Sequence, residues 1–549
     1  MLTSRRDFLK QIVAGAAYVS TTWIFQGCLG VTPSVGLPVA ARFTANARRV
    51  VGKCDLKLWG NIGFDPMYSH TTAPTTQLAW EMIRESRAFR YIRCHNTFSD
   101  APPHFQSDQI MGCRVYSEDA GGTPRYNFRY LDQVLDTWTR AGLKPILEMD
   151  FMPDALADGE IKRNYTGGAI NPPRDFAKWR ELIYQTVKHL VERYGANEVR
   201  TWYFEIWNEP DLSEYFVDGF QDQGTFTPEQ MVRFLKMYDY FVDGATAVDP
   251  QIKVGGPGLA WHDDFFELFL EHLTNGTNAV TGKRGARADF ISWHAYGPSD
   301  QVLDKNWARH VMVRSYSELA NVELHQNEWG QELIRGVDPT TPTVLDEYEA
   351  AFLCRAIDNN FSHEDARVDL FLRWGDLLNG SRPLTRQFGD LAVPLSIFNA
   401  YALLAKLGPE RIAVKRKTFL PFFTEVDGTV GAFATRHSES FAQIVVYRLE
   451  ENNSDSTGDA VGVELMVQGF AKATLPLNIY RIDREHANAY RAWLTLGSPK
   501  SLTNSQTAEI LAKAKLMSES GTVVAENGTA KILLALPPNA MALVMVGGD

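Results

Sequence analysis

The sequence lacks most of the features that announce a metal, a dinucleotide or a nucleic acid. Its five cysteines (Cys28, Cys54, Cys94, Cys113 and Cys354) form no C-x-x-C pair and no ligand cluster, which argues against zinc and iron–sulfur frameworks. Cys54 and Cys94 lie in strand-like runs and read as small core residues. No G-x-G-x-x-G follows a strand, and the glycine-rich turn Gly255-Gly256-Pro257-Gly258 carries a proline that interrupts a phosphate cradle. A dinucleotide-dependent redox enzyme therefore has no support. Basic excess is also missing: the formal charge is −11 and the pI about 5.6, the wrong sign for binding a phosphate backbone. The longest moderately apolar run near the start, Gln11 to Phe25, is too short for a permanent membrane span.

What precedes that run is informative. Ser4-Arg5-Arg6-Asp7-Phe8-Leu9-Lys10 matches the twin-arginine export pattern residue for residue, which predicts delivery to the periplasm. Two ends of this leader are open. Phe25-Gln26-Gly27-Cys28 is an imperfect lipobox that would tether the chain to the membrane by a lipid on Cys28. Val39-Ala40-Ala41 is a small-residue cleavage site that would leave Arg42 first. In such a compartment one disulfide also stays open.

At 549 residues the chain exceeds one ordinary core. The expected division is a signal and linker over 1–41, a barrel over 42–408 and a β-rich domain over 409–549. From Lys53 to Gly408, strand-like runs alternate with amphipathic helices. The runs are Lys57–Trp59, Phe89–His95, Lys144–Phe151, Arg200–Trp207, Ile252–Gly255, Asp289–Ala295, Asn321–Glu328 and Val368–Trp374. Between them Phe176, Trp179, Leu182, Ile183, Val187, Leu190 and Val191 follow a 3.6-residue period. The sequence places Asn171 as cap and Pro172 in the first turn of that helix, with Gly195 at its end. Thr227-Pro228-Glu229-Gln230 reads as a capping box. Such βα repetition predicts an α/β fold, a (β/α)₈ TIM barrel, with a doubly wound sheet as the alternative. After Gly408 the runs Thr418–Val426, Val430–Thr435, Ala442–Leu449, Val463–Val467, Leu475–Ile482 and Ala530–Val546 predict a C-terminal β-sandwich, interrupted by one helix over Ser505–Met517.

Two glutamates end strand-like runs in tryptophan-rich surroundings: Glu209 in Trp207-Asn208-Glu209-Pro210 and Glu328 in Asn327-Glu328-Trp329-Gly330. A barrel gathers the C-terminal ends of its strands at one rim, so residues remote in sequence can face each other there. Two carboxyls on either side of a sugar are the working parts of glycosidic-bond cleavage. One holds a proton for the leaving oxygen, and the other attacks the anomeric carbon or activates water. A separation of about 5–5.5 Å gives retention, and about 6.5–9.5 Å gives inversion. Alternation along the fourth run places Tyr203, Glu205, Trp207 and Glu209 on one face, with Glu205 a layer deeper and suited to orienting a neighbour. Arg93 and His95 share a face at the end of the second run. Asn208 suits a sugar 2-hydroxyl, Tyr296 beside His294 can hold a nucleophile, and Trp374 can floor the sugar, with Trp329 a further contact. Each of these taken singly is equally a packed core residue; their common place at strand ends sets them apart.

The chain here resembles glycoside hydrolase family 39. The resemblance is densest from Tyr126 to Leu212, through Gly142-Leu143-Lys144-Pro145, Phe151-Met152-Pro153 and Trp202 to Pro210, and includes Val254-Gly255-Gly256-Pro257 and His486 to Trp493. It implies Glu209 as acid/base, Glu328 as nucleophile, and neither metal nor organic cofactor. Family members include β-xylosidases and α-L-iduronidases, and His294-Ala295-Tyr296 resembles the His-Thr-Tyr of the xylosidase-like ones. The expected activity is a retaining exo-cleavage of a terminal, neutral β-linked sugar from an oligosaccharide or glycoside. Arabinose-, galactose-, glucose- or uronate-type specificity stays open, as does a non-catalytic carbohydrate-binding envelope protein. Three features depart from the family: Gly330 follows Asn327-Glu328-Trp329 where asparagine is usual; Asp150 stands where a small residue is common, and a carboxylate there is a substrate-binding candidate for a hydroxyl unusual for xylose; and Phe388-Gly389-Asp390-Leu391, after the eighth run, lacks the expected continuation.

Overall fold

The computed structural model describes residues 37, 39–65, 67–100, 110–219, 226–331, 347–380, 382–388, 391–418, 429–452 and 456–548. The twin-arginine segment, Gln11–Phe25, Cys28, most of the strand expected over Thr418–Val426, and Gly389-Asp390 lie outside them. Among the described residues no helix is long and apolar enough to cross a membrane.

Eight parallel strands close a barrel in sequence order: β1 (Asn61–Gly63), β2 (Tyr91–Cys94), β3 (Lys144–Glu148), β4 (Tyr203–Glu205), β5 (Lys253–Leu259), β6 (Phe290–Tyr296), β7 (Glu323–Gly330) and β8 (Leu370–Trp374). The first differs from the strand expected over Lys57–Trp59. Leu56–Leu58 is a short 3₁₀ turn capped by Asp55, and the strand begins three residues later at Asn61. Asn61 locks the seam there, donating from Nδ2 to Phe371 O at 3.0 Å and accepting from Tyr91 N at 3.2 Å.

Helices cover the outside. Phe176–Tyr194 buries Trp179, Leu182, Ile183, Val187 and Leu190, as its period requires, and Gly195 ends it. Its cap is Asp175 rather than Asn171, because Asp175 accepts from Ala177 N and Lys178 N. Asn171 instead ties the preceding loop together through Lys162 N, Asp158 O and Glu160 O. The capping box of Thr227 and Gln230 opens Pro228–Thr246.

The second domain has nine strands whose pairing runs right round the ring. The β-rich expectation holds, but the boundary moves. Val39–Lys53, assigned from sequence to the linker and the start of the barrel, is a strand of this domain, antiparallel to Glu410–Thr418 and parallel to Val461–Gln468. Its inward positions Ala41, Phe43, Ala45 and Ala47 are all buried, a period-two pattern that only a sheet uses. Strand Ser518–Glu526 and helix Ala489–Thr495 were not foreseen, and the expected closing strand is two, Thr529–Leu536 and Ala540–Gly547.

The domains share an apolar cluster that runs from Trp59 and Phe361 to Phe433, Tyr447 and Met541. The His486–Trp493 segment docks on the barrel: Asn488 Nδ2 donates to Glu347 Oε2 at 2.6 Å, and Asn399 Nδ2 donates to Ala487 O at 3.1 Å.

Candidate active site

The barrel interior is layered. Tyr91, Ile146, Tyr203, Phe290 and Leu370 form an apolar layer. One step toward the C-terminal rim the same strands present Arg93, Glu148, Glu205, Ser292 and Leu372, and charge replaces hydrocarbon.

Arg93 is the hub. Its Nε donates to Glu205 Oε2 at 2.7 Å, Nη1 to Glu328 Oε1 at 2.7 Å and Nη2 to Asn208 Oδ1 at 3.1 Å. Nη2 also lies 2.5 Å from Glu148 Oε1, and the residue is fully buried. Burial alone would lower the guanidinium's pKa; Glu148, Glu205 and Glu328 override it and hold it well above its ordinary value. Glu205 is satisfied by Arg93, by Asn327 Nδ2 at 2.6 Å and by the Ser292 hydroxyl. It is a strut that orients its neighbours, as expected from its depth.

Glu328 reaches the pocket by a departure from alternation. Glu323, His325 and Asn327 occupy the inward positions of β7, so regular pleating would send Glu328 outward. A register shift against both neighbouring strands falls between Gln326 and Trp329. This bulge lets Asn327 and Glu328 both point inward, a common use of bulges beside sites. Trp329 then faces outward, stacking on Phe352 at 5.4 Å and edge-on to Phe371 at 5.3 Å. Its expected role as a sugar contact is therefore corrected: it packs β7 against helix Glu347–Ser362. Glu328 Oε1 takes Arg93, and Oε2 accepts from the Tyr296 hydroxyl at 2.7 Å. Burial, followed by the charge of Glu328, pushes Tyr296 well up, so it stays a donor.

Glu209 also breaks the pattern. Strand β4 ends at Glu205, and Trp207 turns away to pack edge-on against Phe151 and Phe216, so the four-residue face expected from alternation stops at two. Asn208 reaches Arg93. Glu209 takes a left-handed backbone, φ 45°, and its N–H donates to Gly258 O at 2.9 Å. That conformation is uncommon for a residue with a side chain and concentrates at functional sites. Asp211 fixes the loop by accepting from Ala260, Trp261 and His262 N–H groups.

His294 stands between the two glutamates, its Nδ1 at 2.7 Å from Glu209 Oε1 and 3.6 Å from Glu328 Oε2. One carboxyl oxygen of each glutamate and a His294 nitrogen lie within 4.8 Å of one another. Burial lowers His294 to about 3 against the pull of Glu328, so its imidazole is neutral at physiological pH. Trp374 lines the interior, stacked on His95 at 4.4 Å and 5.7 Å from the Arg93 guanidinium. Gly63 makes room for it, since a Cβ there would meet the Trp374 ring at 2.4 Å.

His95 bonds Glu148 Oε2 through Nδ1 at 2.7 Å and lies 3.5 Å from Glu328 Oε1. Burial drives Glu148 well up, opposed by Arg93. Asp150 is likewise raised, by burial and then Glu148. His95 with Glu148 and Asp150, and Glu209 with His294 and Glu328, have spacings a cation could use. Glu148 and Glu328 already face the Arg93 guanidinium, whose charge is the local counter-ion.

Several participants escaped the sequence reading. Glu148 was findable, because it alternates with Ile146 on β3 and with Asp150 two residues beyond it. Asp65, two residues past β1, was lost with the misplaced strand. Tyr165 and Tyr215 lie in long loops with no periodic signal. The ionisation of both hydroxyls is nonetheless disfavoured by burial and by Glu209, Glu328 and Asp65, so both stand near the pair. The four described cysteines Cys54, Cys94, Cys113 and Cys354 are free.

The sequence profile of glycosyl hydrolases family 39 matches residues 44–531. A β-xylosidase of Caldicellulosiruptor saccharolyticus is 27% identical over 489 residues, covering 85% of this chain and 90% of the relative. An α-L-iduronidase of Canis lupus familiaris is 26% identical, over 80% of this chain and 68% of its own length. In structure, a monomeric β-xylosidase from Caulobacter crescentus aligns with a TM-score of 0.71 at 22% identity, covering 92% and 99% of the two chains; it shares the fold. With a profile match over most of its length, the chain belongs to glycosyl hydrolases family 39 and is a glycoside hydrolase.

Proposed function

We propose that the enzyme is a retaining exo-glycosidase that removes a terminal, neutral β-linked sugar, β-xylosidase-like, by double displacement. The observation that carries this reading is the convergence of Glu209 and Glu328 oxygens within 4.8 Å, close to the spacing of about 5–5.5 Å that leaves no room for an intervening water.

In the first step Glu328 attacks the anomeric carbon as the bond to the leaving oxygen breaks, and Glu209 delivers its proton to that oxygen. In the second, Glu209 removes a proton from water, the water oxygen attacks the same carbon, and Glu328 leaves. Tyr296 and Arg93 grip one oxygen each of Glu328, which fixes the nucleophile's orientation. Asn208 Nδ2 is buried without a hydrogen-bond partner, a donor available to a sugar hydroxyl. Neutral His294 bonds Glu209 without adding charge.

Sugar type is read from charge. Among the described residues, Arg93 is the guanidinium shown bonded to Glu328, and four protein groups already occupy it. A uronate carboxylate would meet further carboxyls there. The xylosidase relatives support the same choice. Hydrolysis of aryl β-xyloside, followed by NMR of the first-formed anomer, tests the reading; a product of inverted configuration refutes double displacement.

Export by the twin-arginine route is a further part of this proposal and rests on Ser4–Lys10. Ala41 is fully buried in a strand that begins at Val39, which supports processing upstream of that strand, at Cys28, over cleavage after Ala41. Mass spectrometry of the mature N-terminus tests it, and a free Arg42 start refutes the lipid anchor.

A further inference from the structure

The tips of β1, β2 and β3 carry a group that the catalytic steps above do not use. Asn96, just past β2 with φ 84°, bridges its two flanking acids: its N–H donates to Asp150 Oδ1 at 2.9 Å, and its Nδ2 donates to Asp65 Oδ1 at 3.4 Å. Asp65 Oδ2 accepts from the Tyr165 hydroxyl at 3.3 Å, and the rest of Tyr165 is largely exposed at the mouth. Asp150 is fully buried, and its second oxygen, Oδ2, has no hydrogen-bond partner. The nearest basic atom, His95 Nδ1, is 4.0 Å away and engaged with Glu148. Through His95 this group is one imidazole removed from Glu328.

Capping Asn96 accounts for one oxygen of Asp150 and leaves the other unexplained. A buried polar atom without a partner is expensive to keep. The inexpensive resolution is a ligand that supplies the missing bond when the pocket is filled. We propose that Asp65 and Asp150 form a hydroxyl-reading wall of the sugar pocket, which holds one hydroxyl of the glycone and selects neutral sugars over uronates. This rests on the glycosidase reading and deepens it by naming what recognises the sugar.

The protonation states suit the task. Burial, then Glu148, keeps the proton on Asp150, which can donate to a hydroxyl oxygen. Asp65, raised to about 7 by burial and by Asp150, Glu148 and Glu328 against His95, supplies an acceptor for the hydroxyl proton. An acid and an acceptor side by side read an alcohol in both senses. A carboxylate on the sugar has no proton to give and would face Asp65 and Glu328.

The test compares wild type with Asp150→Ala, Asp150→Asn and Asp65→Asn on 4-nitrophenyl β-xyloside, β-glucoside, β-galactoside and β-glucuronide, and on single-deoxy analogues of the fastest. Wild type should lose about 10–100-fold in kcat/KM on removal of one particular hydroxyl. Asp150→Ala should erase that penalty for the same hydroxyl alone and raise KM more than it lowers kcat. Asp150→Asn should restore it, because an amide can accept from Asn96 and donate at the Oδ2 position. Deoxy penalties unchanged in Asp150→Ala, or a wild type that prefers the glucuronide, overturn the wall while leaving the glycosidase intact. If none of these glycosides turns over, the proposed neutral β-sugar specificity fails instead. Saturation-transfer NMR with xylose, glucose, galactose and their deoxy forms then decides the wall, which stands if Asp150→Ala alters recognition of one hydroxyl and falls if it alters none.

Discussion

The two domains solve the problem of an interior differently. In the β domain the inward cluster is hydrocarbon: Ala41, Phe43, Ala45, Val463, Leu465, Val467, Ala542 and Val544 are buried with no charge among them. In the barrel, the layer holding Tyr91, Ile146, Tyr203 and Phe290 is mostly apolar but already admits His325, which stacks on Phe290 at 4.7 Å, and the layer above it encloses Arg93 among Glu148, Glu205 and Glu328. Regular pleating suffices for the first kind of interior, since any apolar residue of suitable size fits it. The second needs each polar atom matched, and it is reached through irregular backbone: the bulge at Asn327-Glu328 and the left-handed Glu209.

Substitutions can break this contrast at either end. The largest effect is expected for Glu328→Gln, which should reduce turnover by at least about 10³-fold, with a melting temperature at or above wild type because one carboxylate leaves a crowded site. Steady-state kinetics and calorimetry check both halves. Glu209→Gln should cost about 10²–10⁴-fold on sugars with poor leaving groups and far less on activated aryl glycosides, a ratio that a leaving-group series measures directly.

Stability sharpens the comparison next. Arg93→Met should destabilise by about 3–5 kcal/mol, because it strands several buried carboxyls, and should abolish activity as well. Leu465→Ala, in the β domain, should cost about 2–5 kcal/mol by leaving a cavity while kcat per folded molecule stays at the wild-type value. Denaturant titration with parallel assays separates the two; a fall in kcat for folded Leu465→Ala would mean the domains are coupled through their shared cluster.

The smallest effect concerns pH. Asp65 is raised to about 7, so the folded state binds its proton more tightly than the unfolded chain does. The associated stability is complete below the ordinary aspartate range and is lost as pH rises through about 7. Asp65→Asn should therefore raise the melting temperature at pH 8 and leave it nearly unchanged at pH 4. His294, lowered to about 3, has the opposite sign: the unfolded chain takes up its proton first, so stability falls as pH drops from 6.5 toward 3.

Much of this was legible from residue patterns. Seven of the eight barrel strands, the helix periods, the Thr227 capping box and the pairing of Glu209 with Glu328 follow from spacing and composition. The misreadings share a cause. Leu58-Trp59 looked like a strand because it is apolar, but the turn capped by Asp55 delays β1 and thereby hid Asp65. Trp329 looked like a sugar contact because it adjoins Glu328, and a one-residue bulge sent it the other way. Val39–Lys53 has the right alternation, yet nothing local says that it pairs with Val461–Gln468 more than four hundred residues on.

The sequence by itself determined which residue types carry the chemistry and that they stand at strand ends, because side-chain periodicity and turn chemistry are local properties. Tertiary structure alone decided which of them meet. The bulge, the left-handed Glu209 and the fourfold engagement of Arg93 depend on strands that are distant in sequence, and their energies exist only when the barrel is closed around them.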